Sequence, residues 1–123
     1  MTMLEMVQEF LLATGRPMPY APERLTGDLA KLWQRLDEEE TREYYDALKV
    51  QPMADVAKEP ADRIYVLLGH AATMGLTRFD EIFAEVHRSN MSKLGLDGKP
   101  VLREDGKVMK PEGWQPPDLS GLV

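Results

Sequence analysis

Between Leu29 and Leu48 the apolar residues recur at steps of three and four, and the stripe they trace runs on through carboxylates. Leu29, Leu32, Trp33, Leu36, Tyr44, Ala47 and Leu48 form one face of a helix, and the same steps carry that face through Glu40 and Glu43. The spacing predicts a long helix, capped by Thr26 or Asp28 and running to about Val50, ahead of Gln51-Pro52. A half-apolar helix of this length is stable only against partners, and three further segments supply them.

Met3, Leu4, Val7, Phe10 and Leu11 outline a short first helix that Gly15-Arg16-Pro17 stops. A proline-rich loop joins it to the long helix. A third helix covers Ile64 to Met74, beginning somewhere between Asp55 and Pro60, with Gly75 as its cap. A fourth opens after Thr77, carries Phe79, Ile82, Phe83 and Val86 on one side, and continues towards Leu94. The expected fold is all-α: a four-helix bundle over residues 1–94, followed by a non-helical tail over 95–123 that packs on the same domain or on a partner subunit. Within the tail, Asp105-Gly106 between Val101-Leu102 and Val108-Met109 suits a small hairpin.

Composition narrows the function classes. A formal charge of -6 disfavours a general binder of nucleic-acid polymers, whose affinity rests on clustered lysine and arginine. The chain contains no cysteine, which removes disulfides and thiolate metal sites from consideration. The first residues, with Glu5 and Glu9 among the apolar ones and no basic start, do not read as a signal peptide. No apolar run approaches the roughly 20 residues that span a bilayer. A cytoplasmic protein without membrane contact is the expectation.

The acids are the informative feature. Glu39 lies one turn before Glu43, so Glu39, Glu40 and Glu43 share a sector of the second helix. Carboxylates crowded on an inward face must protonate, reach water or find cations. Hard divalent cations such as magnesium meet that need, since they take oxygen ligands and also bind phosphates. Glu59 and Asp62 form a second acidic pair at the entrance of the third helix. Each group also has a plain reading: a solvated face paired with Lys31, Arg35 or Arg42 in the first case, and helix N-terminal charge in the second.

Together, Glu39-Glu40-Thr41-Arg42-Glu43 and Glu59-Pro60-Ala61-Asp62 give E-E-x-x-E followed by E-x-x-D. This pattern resembles the MazG-like all-α nucleotide pyrophosphohydrolases, which include phosphoribosyl-ATP pyrophosphohydrolases and are related to dimeric dUTPases. Ile64-Tyr65-Val66, the stretch Glu85 to Lys93 and the stretch Asp105 to Pro111 extend the similarity, in the manner of the phage and bacterial phosphoribosyl-ATP pyrophosphohydrolase-like branch. The resemblance implies that Glu39, Glu40, Glu43, Glu59 and Asp62 bind magnesium, or manganese in its place; Glu39 and Glu40 are the catalytic candidates, with Glu39 serving either the metal or water activation. It also implies a homodimer or dimer of dimers. Pro60 departs from the pattern, and a proline beyond the first turn breaks a helix hydrogen bond; either the third helix begins near Glu59 or its entrance is bent.

Asn90 and Lys93 share a face at the end of the fourth helix, where an amide can read a base or sugar and an ammonium can meet phosphate. Lys93 equally suits the negative end of the helix dipole. Lys107, Lys110 and Trp114 bring a local basic surplus and an aromatic surface to the tail, for substrate or for anchoring the tail itself. His70 and His87 are too far apart in sequence to suggest a local ligand pair and read as structural. The expected reaction is metal-dependent hydrolysis of a nucleoside triphosphate, a deoxynucleotide by preference, to monophosphate and pyrophosphate. Phosphoribosyl-ATP is the alternative substrate, and a noncatalytic nucleotide- or protein-binding helical module is the rival from another class.

Overall fold

The computed structural model describes residues 1–123 and contains four helices and no strand: α1 (Met3–Ala13), α2 (Gly27–Val50), α3 (Met53–Thr73) and α4 (Phe79–Met91). The all-α expectation is borne out. No helix is long and apolar enough to cross a membrane. The chain divides into two compact units, Met1–Thr77 and Arg78–Val123.

In the first unit α3 packs against both α1 and α2. Thr2 closes α1 with a capping box: its hydroxyl accepts from the Glu5 backbone N–H while the Glu5 carboxylate accepts from the Thr2 N–H. Leu4, Val7 and Leu11 are the buried stripe of that helix. On α2, Trp33 and Ala47 are buried, whereas Leu29 and Leu48, which share the apolar face by spacing, remain exposed. Thr26 is the N-cap of α2 by position, with no side-chain capping bond.

Gly69 lets α2 pack tightly on α3. A Cβ built there would lie 2.4 Å from Trp33 Cη2, so the indole of α2 packs directly on the α3 backbone. His70, the next residue, places its Nε2 3.2 Å from the Trp33 carbonyl oxygen and its ring edge-on to the indole. That position gives His70 the structural role its isolation in sequence suggested.

Helix α3 starts at Met53, earlier than the sequence pattern indicates, and carries Pro60 inside it. Pro52 is its N-cap, and the Asp55 and Val56 N–H groups both donate to the Pro52 carbonyl. Proline removes one helix hydrogen bond at Pro60. Pro60 itself is exposed, on the side where a helix can open its hydrogen bonds towards water, while its neighbour Glu59 is drawn inward.

In the second unit the tail lies along α4. Ser89, buried on α4, donates its hydroxyl to the Gln115 carbonyl at 2.7 Å, and the Trp114 indole N–H donates to the Ser89 carbonyl at 3.1 Å. Arg88 reaches the Pro116 carbonyl, and the Asp118 N–H donates to Glu85. Ile82 is buried, whereas Phe83, its neighbour on the same predicted side, is exposed. The turn at Asp105-Gly106 forms: Leu102 bridges Val108, and Gly106 takes a φ of 89°, the left-handed conformation glycine adopts at no steric cost.

Candidate active site

Helices α2 and α3 bring three of the five predicted acids together. Glu40, Glu43 and Glu59 each turn a carboxylate oxygen into one space, with these oxygens all within 4.8 Å of one another. Glu40 and Glu43 reach it because they continue the Trp33 and Leu36 stripe that holds α2 against α3. Glu59 reaches it because α3 is already helical at that point, despite Pro60.

The electrostatics of this cluster are unbalanced. Glu40 Oε2 and Glu59 Oε2 are buried and have no hydrogen-bond partner. Burial, followed by the negative charges of Glu43, Asp62 and Glu59, holds the Glu40 carboxyl above its ordinary range, and Lys58 opposes this only in part. Like charges at this spacing with unpaired buried oxygens are the environment a hard cation stabilises. The donor set is all oxygen and suits magnesium or manganese.

Asp62 is not one of the three converging carboxylates, although its charge is felt at Glu40. Its Oδ2 accepts a 2.5 Å hydrogen bond from Lys58 Nζ, and the same ammonium lies 4.0 Å from Glu59 Oε1. Glu39 is exposed and does not join the cluster. Beside the cluster opens a cavity of about 550 Å³, lined among others by Glu43, Asp46, Asp55, Lys58 and Glu59. Asp46, Asp55 and Lys58 were not singled out by the sequence pattern. The signal was present: Asp46 follows Glu43 by three residues and Asp55 precedes Glu59 by four, the same helical steps that linked the other acids.

The residues proposed for substrate all belong to the second unit. Asn90 is exposed and Lys93 half-buried near the end of α4. Trp114 is tied by its indole N–H to the Ser89 carbonyl, and Lys110 Nζ sits 4.5 Å above its ring. Lys107 closes the turn, its N–H donating to Asp105. Trp114 therefore anchors the tail, one of the two roles its position allowed, and Lys110 covers a face of the ring.

The sequence matched none of the curated proteins it was compared with. Residues 4–90, a span running from α1 almost to the end of α4, match the family phosphoribosyl-ATP pyrophosphohydrolase. With the MazG-like acidic motif carried on two packed helices of an all-α fold, the chain belongs to the phosphoribosyl-ATP pyrophosphohydrolase family, whose members are nucleotide pyrophosphohydrolases.

Proposed function

We propose that the protein hydrolyses a nucleoside triphosphate, a deoxynucleotide by preference, between the α and β phosphorus atoms, in the presence of magnesium or manganese. The observation that carries this reading is the convergence of Glu40, Glu43 and Glu59, with buried oxygens left unpaired. These three carboxylates would hold the cation, with Asp62 as a further ligand, and a bound divalent ion supplies shielding of phosphate charge and a lowered pKa for a neighbouring water.

The remaining work falls to the chain itself. Glu39, exposed and one turn from Glu43, is free to accept the proton of the attacking water. The cavity beside Glu43 and Glu59 has a volume within the range of small-molecule sites. Asn90, Lys93, Lys107 and Lys110 are assigned to the sugar, base and phosphates, and Trp114 to fixing the segment that carries them.

A homodimer, or a dimer of dimers, completes the reading. Met3, Met6, Phe10, Ile64 and Tyr65 are exposed apolar side chains of α1 and α3. Met3, Met6, Ile64 and Tyr65 also border an apolar cavity of about 320 Å³. Patches of this kind mark association surfaces.

The reaction is tested by incubating the purified protein with each common and modified nucleotide plus magnesium or manganese and identifying the products. Monophosphate and pyrophosphate are expected. Diphosphate and orthophosphate would place cleavage at the β–γ bond and overturn the assignment. Phosphoribosyl-ATP belongs in the same screen, because the matched family bears its name. No turnover with any nucleotide, in a folded protein that binds metal, would favour the noncatalytic binding module.

A further inference from the structure

Lys58 occupies an unusual place among the acids. Its ammonium bridges Asp62 and Glu59, two residues of the acidic motif, and its charge is felt at Glu40 as well. Among the residues lining the cavity beside the cluster, Lys58 is the only base, against the carboxylates of Glu43, Asp46, Asp55 and Glu59. An anion entering that cavity meets repulsion from every ionisable side chain except this one.

The bridge is built to be broken. The Lys58 side chain is 64% exposed, whereas those of Glu59 and Asp62 are 13% and 32% exposed. An exposed lysine pair is a weak interaction, held by a flexible stem with little to lose on moving. A divalent cation competes for the same carboxylate oxygens with twice the charge. Of the three side chains the lysine is the most exposed and the least held by its surroundings.

We propose that Lys58 is a resident counter-cation which a divalent metal displaces from Asp62 and Glu59, freeing its ammonium to hold the polyphosphate of the incoming nucleotide. This rests on the hydrolytic reading above and adds an order to it: metal first, then phosphate capture by the released lysine. Lys58 is thereby a substrate-positioning residue. An ammonium suits this role because a compact point charge adapts to whichever phosphate oxygen comes within reach.

The test compares wild type with Lys58→Gln and Lys58→Arg, reading metal and nucleotide separately. Calorimetric titration with magnesium alone should show tighter binding in Lys58→Gln, by roughly threefold or more, because a competing positive charge has gone. The KM of the preferred nucleotide at saturating metal should rise by roughly tenfold or more in the same variant, the scale of one charge-assisted contact, with kcat much less affected. Lys58→Arg, which keeps the cation, should restore metal affinity to the wild-type value and recover part of the KM. Magnesium binding that is unchanged or weaker in Lys58→Gln overturns the displacement, and an unchanged KM overturns the phosphate role. If wild type hydrolyses no nucleotide, the hydrolytic reading fails by itself. The phosphate role is then read from binding of an α,β-methylene nucleoside triphosphate, where equal affinity in wild type and Lys58→Gln overturns it.

Discussion

Glu40 on α2 and Glu59 on α3 each bury one carboxylate oxygen with no hydrogen-bond partner, while their other acidic neighbours add negative charge to the same space. Two facing helices thus converge on a point that their own side chains leave electrostatically unsatisfied. Such a feature costs stability in the metal-free protein and lowers the free energy of whatever cation binds.

Glu40→Gln separates these two consequences. Amide for carboxylate preserves size and removes one buried negative charge, so the variant should melt at a slightly higher temperature than wild type without metal. With magnesium or manganese the order should reverse, because the variant loses most of the metal-induced rise. Turnover should drop by roughly a hundredfold or more, or about 2.7 kcal/mol in transition-state free energy. Thermal melts with and without metal, joined to pyrophosphate release, check all three. A metal-induced rise equal to that of wild type would remove Glu40 from the ligand set.

Glu39→Gln should behave differently. Glu39 is exposed and lies outside the group of converging oxygens. The variant is expected to keep most of the metal-dependent stabilisation and to lose kcat, by roughly a hundredfold to ten-thousandfold for a general base. Glu43→Gln, by contrast, should lose both. Loss of the metal-induced melting shift in Glu39→Gln would make Glu39 a ligand in place of a base.

The acidic motif was legible because helical steps fix which residues share a face. Those steps placed Glu40 and Glu43 on the stripe of Trp33 and Leu36, and the structure retains that arrangement. They do not reveal which acids meet across two helices, since that depends on the depth of packing at Gly69 and Trp33. Hence Asp62, equal to Glu59 in the pattern, is held by Lys58, and Glu39 is exposed outside the three converging oxygens. Pro60 misplaced the start of α3 for a related reason: a local penalty of about 3 kcal/mol was visible in the sequence, whereas the tertiary packing of α3 on α1 and α2 was not. The tail carried almost no periodic signal, and its anchor Ser89 is one serine among several polar residues of α4.

Gly69→Ala tests whether helix packing controls the site. The added Cβ meets the indole carbons Cη2 and Cζ3 of Trp33 at 2.4 and 2.5 Å, so α2 and α3 must move apart or the indole must rotate. Overpacking of this kind costs about 1–3 kcal/mol, more than the roughly 1 kcal/mol alanine gains over glycine within a helix. Urea unfolding should show net destabilisation, and metal affinity should fall as well, since Glu40 and Glu59 ride on the separated helices. A variant as stable as wild type with unchanged metal binding would uncouple the packing from the carboxylates.

Acid should loosen the tail from α4. The Glu85 carboxylate accepts from the Arg88 guanidinium and the Asp118 N–H, which lower its pKa from the ordinary 4.5 to about 2. The groups around it are Arg88 and Glu81 on α4 and Asp118 from the tail, whose own carboxyl is held low chiefly by Ser120 while the Glu85 charge opposes that shift. Because the folded pKa lies below the unfolded one, the contact contributes fully above pH 4.5 and is lost as pH falls towards about 2. Hydrogen exchange of the Trp114 indole N–H, which is bonded to Ser89, reports that docking. Protection should decline across this window in wild type, and in Glu85→Gln should be lower at neutral pH and flatter with acid. Equal profiles in both proteins would show that Glu85 does not hold the tail.

The α1 and α3 surface gives the last prediction. Met6 and Ile64 are half or nearly half exposed, and both border an apolar cavity whose other walls include Val7, Ala61 and Leu68. Apolar side chains grouped in this way lower their free energy by burying one another across a two-fold axis, which places the same residues on both sides of the contact. Light scattering should therefore find wild type as a dimer or tetramer across micromolar concentrations. Met6→Asp and Ile64→Asp should shift it to monomer while circular dichroism stays helical, because the new carboxylate is solvated in the monomer and desolvated in the interface. A wild type that remains monomeric at every concentration would refute the assembly, and turnover by that monomer would show that one chain carries a complete site.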